Sequence, residues 1–251
     1  FRVGADIGGT FTDLVLLGQD GTLYTKKVPS TVGEYEAAIV GGLSSVFETA
    51  GLTADQIDEV LHGTTVASNA ILERKGARTG LITTKGFRDV LEIRTLRMPR
   101  LYDLHWEKPL PLAERYLRLD VDERVNSGGE VEKALDLDEV ERVVQRLLDE
   151  KVETIAVCLI NSYANGGHER AIKEVIERLA PDLLHCISAD VLPEISEYQR
   201  TSTTVINAYV MPIVESYLRE ILKQTQKKGI RSDLHIMQSN GGVMSSETAG
   251  R

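Results

Sequence analysis

Hydrophobic and polar positions alternate from the first residues of the chain. Val3, Ala5 and Ile7 are separated by Gly4 and Asp6, a period of two that predicts a strand. Gly8 and Gly9 interrupt it, and Phe11 with the run Leu14, Val15, Leu16, Leu17 predicts a second strand. Thr12 to Leu17 and Thr22 to Val28 flank Gly18 to Gly21, which reads as an antiparallel hairpin ended by Pro29. The spacing then changes. Tyr35, Ala38, Ile39, Gly42, Leu43, Val46 and Phe47 form a helical stripe closed by Gly51. Gly41 and Gly42 cost that helix stability, which points to close packing against a sheet. Further strands are predicted at Ile57–Leu61, Arg78–Thr83, Tyr116–Val125, Glu153–Leu159, Leu183–Ser188 and Asp233–Met237. In the third of these, Leu117, Leu119 and Val121 face inward and Arg118, Asp120 and Asp122 face outward. Helices are predicted from Thr64 or Thr65 to a stop at Gly76, and at Gly86–Ile93, Leu137–Leu148, Gly166–Ala180, Ser196–Ala208 and Pro212–Lys227. This alternation is the order that builds a parallel sheet with crossovers.

Composition narrows the class. The 251 residues suffice for one large domain or two, with 42% hydrophobic and 27% charged residues, as in a soluble globular protein. The net charge of −9 argues against nucleic acid as a partner. No apolar run approaches the roughly 20 residues of a membrane span, and the chain opens directly into a strand, with no signal peptide and no initiating Met. Cys158 lies in the apolar run Ile155–Ile160, and neither it nor Cys186 has metal-ligand spacing. Cys158 reads as a reduced core thiol, which fits a cytoplasmic protein.

Candidate chemistry concentrates at the first turn. Asp6, Gly8, Gly9, Thr10, Thr12 and Asp13 put two acids, two glycines and two threonines within eight positions. Glycines let backbone N–H groups approach a phosphate, the threonines add hydroxyl donors, and the acids suit the hard cation a nucleotide brings. The plain alternative is an ordinary hairpin turn. A second stretch, His62, Gly63, Thr64, Thr65 and Asn69, lies where a strand gives way to a helix. By pattern alone these are a buried strand-end histidine, capping threonines and an inward amide. Arg94, Arg97 and Arg100 lie in the irregular stretch 94–115 and could clamp an anion, or form a solvated basic face; His105 and Trp106 are expected to pack that loop down. His168 reads as exposed. Ser202 and Thr203 lack a His–acid pair and are not nucleophile candidates. Ser239, Asn240 and Gly241 form a polar turn at the end of a strand.

The string Asp6–Asp13 resembles the first phosphate loop of the actin, sugar kinase and Hsp70 superfamily. Its Phe11-Thr12-Asp13 variant, with His62–Ala70, Thr83–Ile93 and Arg200–Tyr209, resembles the hydantoinase A/5-oxoprolinase family, which includes the acetone carboxylase subunits. Arg94–Arg100 departs from the family's more usual pattern, which leaves substrate identity open. The resemblance implies an α/β, ribonuclease H-like (actin-like ATPase) fold, with a mixed sheet and flanking helices. An N-terminal domain would span 1–190, and the beginning of a second lobe 191–251. It also implies ATP and Mg²⁺ as cofactors. Asp6 and Asp13 would hold the metal, and Gly8, Gly9, Thr10 and Thr12 the phosphates. His62 is a catalytic candidate, with Gly63, Thr64, Thr65, Asn69, Ser239, Asn240 and Gly241 on the substrate side. The family's second phosphate loop is expected beyond Arg251, so the chain reads as a fragment that alone binds ATP weakly or not at all.

The chemistry implied is phosphorylation of an amide or enolate oxygen, which turns a poor leaving group into a good one. The substrate would be a cyclic amide or, in the carboxylase branch, a ketone. A second catalytic subunit of the hydantoinase B type, or a fused second half, would complete the reaction. A sugar kinase of the same fold would need an Asp general base, and no Gly-x-Asp follows a strand in mid-chain. A non-enzymatic actin-like ATPase is the other rival.

Overall fold

The structure is a computed structural model that describes residues 1–8, 11–29, 35–95, 102, 103 and 105–249, with residues 35–40, 49, 50 and 247 described by backbone alone. The elements run β1 (Arg2–Ile7), β2 (Phe11–Leu17), β3 (Leu23–Pro29), α1 (Tyr35–Ala50), β4 (Glu59–Thr64), α2 (Val66–Leu72), β5 (Thr79–Thr84), α3 (Val90–Ile93), β6 (Arg118–Val121), β7 (Arg124–Val125) and β8 (Val131–Lys133). They continue with α4 (Leu137–Asp149), β9 (Thr154–Cys158), α5 (Gly167–Leu179), β10 (Leu184–Ile187), α6 (Ser188–Val191), α7 (Glu197–Lys227), β11 (Leu234–Met237), β12 (Val243–Ser245) and α8 (Ser246–Ala249).

In space the chain forms two units, Phe1–Glu73 with Ile213–Arg251, and Arg74–Pro212. The expected boundary near 190 divides the sequence; the spatial division falls elsewhere because β11, late in the chain, pairs in parallel with β4. The first unit holds a six-stranded mixed sheet in the order β12-β11-β4-β1-β2-β3. Strands β1, β4 and β11 are parallel, and β2, β3 and β12 are antiparallel to their neighbours. Alternation fixes its faces. Val3, Ala5, Ile7, Leu14 and Leu16 point to one side and pack with Leu43 and Val46 of α1 and with Tyr217, Leu218 and Ile221 of α7. A Cβ on Gly42 would come within 2.3 Å of Leu14, so this glycine serves the close packing expected of it; one on Gly41 would meet nothing. On the other side Asp6, Phe11, Asp13, Val15 and Leu17 are exposed.

The second unit holds a four-stranded parallel sheet, order β10-β9-β5-β6. Both faces are covered. Ile82, Val121, Ile155 and Val157 pack with residues of α4 and α5. Leu81, Ala156 and Cys158 pack with Val205, Ala208 and Met211 of α7. A parallel sheet buried on both sides corrects one expectation. Arg118 does not face water: its side chain is 1% exposed, and it donates to Ala113 O at 2.9 Å and, through both terminal nitrogens, to Glu92 at 3.1 Å. The predicted strand 116–125 is also broken, into β6 and β7.

Three more expectations change. The two helices predicted around Pro212 are one, α7, which continues through the proline. His105 is exposed and only Trp106 is half-buried. Gly76 is not the stop of α2, which ends at Leu72 with Glu73 as its cap. Gly76 is needed instead for space, since a Cβ there would lie 2.0–2.4 Å from three ring atoms of the buried Tyr209. Gly76→Ala is therefore expected to destabilise the protein by about 2–3 kcal/mol; a urea midpoint equal to wild type would disprove the contact.

Candidate functional site

Strands β1, β4 and β11 run parallel, so their carboxyl ends lie on one edge of the first unit's sheet. There β1 ends in the Gly8 turn, β4 in Thr64 and Thr65, and β11 in the turn Gln238–Gly241. Asp6 stands directly opposite Asp13 in the β1–β2 register, Gly63 is the β4 partner of Asp6, and Lys27 is the β3 partner of Asp13. The four residues form one row on the exposed face of the sheet. Opposed like charges cost a sheet stability. Lys27 Nζ, 3.0 Å from Asp13, offsets one of them. Gly63 leaves Asp6 its room: a Cβ there would come within 3.0 Å of Asp6 Oδ1.

The second expected stretch is brought to the same edge. Thr65 Oγ1 donates toward Ile7 O at 3.5 Å, and Asn69 Nδ2 donates to Thr65 Oγ1 at 3.3 Å. Thr64 Oγ1 accepts from Val66 N at 3.2 Å, a local bond that closes the turn into α2. Ser239, Asn240 and Gly241 are exposed in the β11–β12 turn, where Gly241 takes a φ of +85° that favours glycine. The turn is closed by Gln238 N donating to Gly242 O at 2.8 Å.

Other candidates are placed differently. Gly8 N–H donates to Phe11 O at 3.0 Å, so it is engaged within the turn. Gly9 and Thr10 lie outside the described residues, as do Arg97 and Arg100. Thr12 is fully buried on the opposite face from Asp6. His62 is on that buried face too, 1% exposed, with Nδ1 3.0 Å from Ala5 O and Nε2 2.6 Å from Tyr217 Oη. The structure does not bring its ring to the acidic row. Arg94 donates to Tyr198 Oη at 3.0 Å and lies over that ring.

Burial pushes the pKa of His62 down to about 4, against the pull of Ala5 O and the charge of Asp6. The unfolded chain protonates this ring below about pH 6.5, while the folded protein refuses the proton until about 4, so stability falls across that window as pH drops. The full cost is about 3 kcal/mol. Chemical denaturation at a series of pH values should show a loss between 6.5 and 4 that is smaller by about that amount in His62→Phe. Cys158 and Cys186 are buried free thiols whose pKa values burial raises to about 11, which keeps them protonated and unreactive.

The second unit contains a polar cluster that pattern reading missed, at the carboxyl ends of β5, β9 and β10. Glu169, fully buried, accepts from Leu159 N and Ser188 Oγ at 2.7 Å each and from Ala189 N at 2.8 Å. Burial raises its pKa against those donors. Ser162 Oγ lies 2.9 Å from Ser188 Oγ and accepts from the buried Arg200 at 2.7 Å; Arg200 also pairs with Glu197. His168, expected to be exposed, is only 15% so, with Nδ1 2.8 Å from the buried Glu123, which accepts from Thr84. Glu123 follows β6 and is tied to Thr84 at the end of β5, 39 residues away, a tertiary contact with no local signal.

The acidic row fits a hard cation as far as it goes. Two carboxylates without a third ligand are what Mg²⁺ takes when phosphates and water complete its shell, and among the described residues no cluster of three or more metal-binding side chains exists.

A mixed sheet with an acidic row beside its first glycine turn, together with a second unit built on a parallel sheet, defines a two-unit α/β protein. The chain belongs to the hydantoinase/oxoprolinase family: its N-terminal region matches residues 2–180, and the hydantoinase/oxoprolinase region that follows matches 200–251. An uncharacterized protein of Methanocaldococcus jannaschii is 38% identical over 97% of this chain and 36% of its own length. The caprolactamase subunit alpha of Pseudomonas jessenii is 34% identical over 97% of this chain and 36% of its own. The crystal structure of the ATP-dependent caprolactamase from that organism superposes with a TM-score of 0.91 over 98% of this chain and 36% of the other, at 33% identity. The acetophenone carboxylase gamma subunit of Aromatoleum aromaticum is 31% identical over 96% of this chain and 35% of its own. The chain thus spans about a third of the length of these relatives. No described helix is long and apolar enough to cross a membrane.

Proposed function

We propose that this chain is the nucleotide-facing part of an ATP-dependent cyclic-amide hydrolase, working in the cytoplasm with a second catalytic subunit. The observation that carries this reading is the direct opposition of Asp6 and Asp13 beside the Gly8 turn. Such a pair is unfavourable without a cation and useful with one. The sheet is read as ribonuclease H-like, with residues 1–190 and 191–251 as the family's successive segments.

In this mechanism Asp6 and Asp13 would hold Mg²⁺, and Gly8, Gly9 and Thr10 would hold the phosphates. Lys27, which pairs with Asp13, would yield it to the cation. Thr65, Asn69 and the turn at Ser239–Gly241 border the substrate, since they share the strand-end edge with Gly8. His62 acts through position: wedged between Ala5 O and Tyr217 Oη, it ties β1 to α7 and keeps Asp6 in register. Bound ATP would supply the phosphoryl group that makes an amide oxygen a leaving group.

Caprolactamase among the relatives favours a lactam. The acetophenone carboxylase gamma subunit supports a second reading, activation of a ketone enolate for carboxylation. The test is ATP turnover by the intact enzyme with its partner subunit, screened over hydantoins, 5-oxoproline, lactams and ketones. Turnover stimulated by a cyclic amide supports the first reading, and by a ketone with bicarbonate the second. ATP hydrolysis indifferent to both would overturn the proposal in favour of an actin-like ATPase.

A further inference from the structure

In the second unit several arginines are committed to acids. Arg115 holds Asp89 through two bonds of 2.9 Å, Arg118 holds Glu92, Arg200 holds Glu197 and Arg178 holds Glu141. Arg88, Arg142 and Arg146 depart from this. None makes a hydrogen bond or ion pair with a described residue, and all three line one groove of about 400 Å³. Arg142 and Arg146 are four apart on α4, hence on the same side of the helix, where like charges repel. The Nε of Arg88 is buried and has no acceptor. Its neighbour in charge, Asp89, has both oxygens taken by Arg115. The groove's own acids are tethered to backbone: Asp120 accepts from Gly86 N at 3.2 Å, and Glu139 from Asp122 N at 3.0 Å. The groove follows β6, the edge strand of the sheet. In a protein of net charge −9, three arginines thus line one groove without an ion pair or hydrogen bond to a described residue.

We propose that this groove binds an oxyanion, the phosphoryl or carboxyl end of a small molecule. Guanidinium forks take such groups through paired N–H···O bonds, and the volume is that of a small-ligand site. The larger cleft of about 680 Å³ near Arg74 and Tyr209 is a poorer candidate, since Arg78, Arg115 and Arg118 in its lining are already bonded to acids. The groove lies in the second unit and the acidic row in the first, so the proposal stands independently of the nucleotide reading.

The experiment is calorimetric titration of the intact protein with inorganic pyrophosphate and with malonate, without magnesium so that the acidic row contributes no cation-borne phosphate site. Each is repeated on R142Q/R146Q, whose two arginines are exposed and whose replacement leaves folding intact. One of the two anions should bind wild type at millimolar or tighter affinity, and the double variant should bind it at least about tenfold more weakly, with an unchanged melting temperature. Tighter pyrophosphate identifies a phosphoryl ligand, and tighter malonate a carboxylate. Equal affinity in wild type and variant, or no binding of either anion below about 10 mM, overturns the site.

Discussion

Asp6→Asn is expected to lower ATP-dependent turnover of the intact enzyme by about a hundredfold or more, while the protein stays as stable as wild type or becomes slightly more so. The two halves of this expectation have one cause. Asp6 is exposed and faces Asp13 across the strand pair, so in the absence of a cation its charge is a liability to the sheet. Removing that charge relieves the repulsion and, on the proposed function, removes a cation ligand in the same step, the usual conflict between stability and function at a site. Asp13→Asn should lose a similar amount of activity but gain less stability, because Lys27 already offsets Asp13. Steady-state turnover and thermal melts of both variants decide the matter. Full activity in either variant refutes the assignment of the acidic row, and lost activity with a collapsed melt would mean that Asp6 is structural.

Glu169→Ala should destabilise the protein by about 3–5 kcal/mol, the cost of breaking a buried charged network rather than of losing one surface contact. The carboxylate is the common acceptor of two backbone N–H groups, from Leu159 and Ala189, and of Ser188. Alanine would strand all three donors in a dry interior. It would also leave the Ser188–Ser162–Arg200 chain without its terminal acceptor. Glu169→Gln keeps the shape and one acceptor oxygen but turns an NH₂ toward donors, so an intermediate loss of about 1–3 kcal/mol is expected. Guanidinium unfolding with an unchanged m-value is the measurement. A loss under about 1 kcal/mol for the alanine variant would show that the network relaxes or hydrates.

Much of the molecule follows from local pattern. The alternation Val3-Ala5-Ile7 and its echo in Leu14 and Leu16 set which side of the first sheet is buried, and hence that Asp6 and Asp13 share the other side. Period two leaves no other arrangement once the hairpin closes. The helical stripe of α1, the amphipathic α4 and α5, and the apolar strand β9 are equally local facts, as are the glycine turn and the polar strand-end turns at Thr64 and Gly241. What local pattern could not reach is whatever depends on a partner far along the chain. Whether His62 faces ligand or core is settled by Tyr217, 155 residues away. The burial of Arg118 and His168 depends on layers packed over a sheet whose covering is non-local, and alternation says nothing about whether a second face is covered. The same holds for the grouping of Arg88 with Arg142 and Arg146, and for the joining of β11 to β4. Periodicity assigns each side chain to a face of its own element; only packing assigns that face to water, core or ligand.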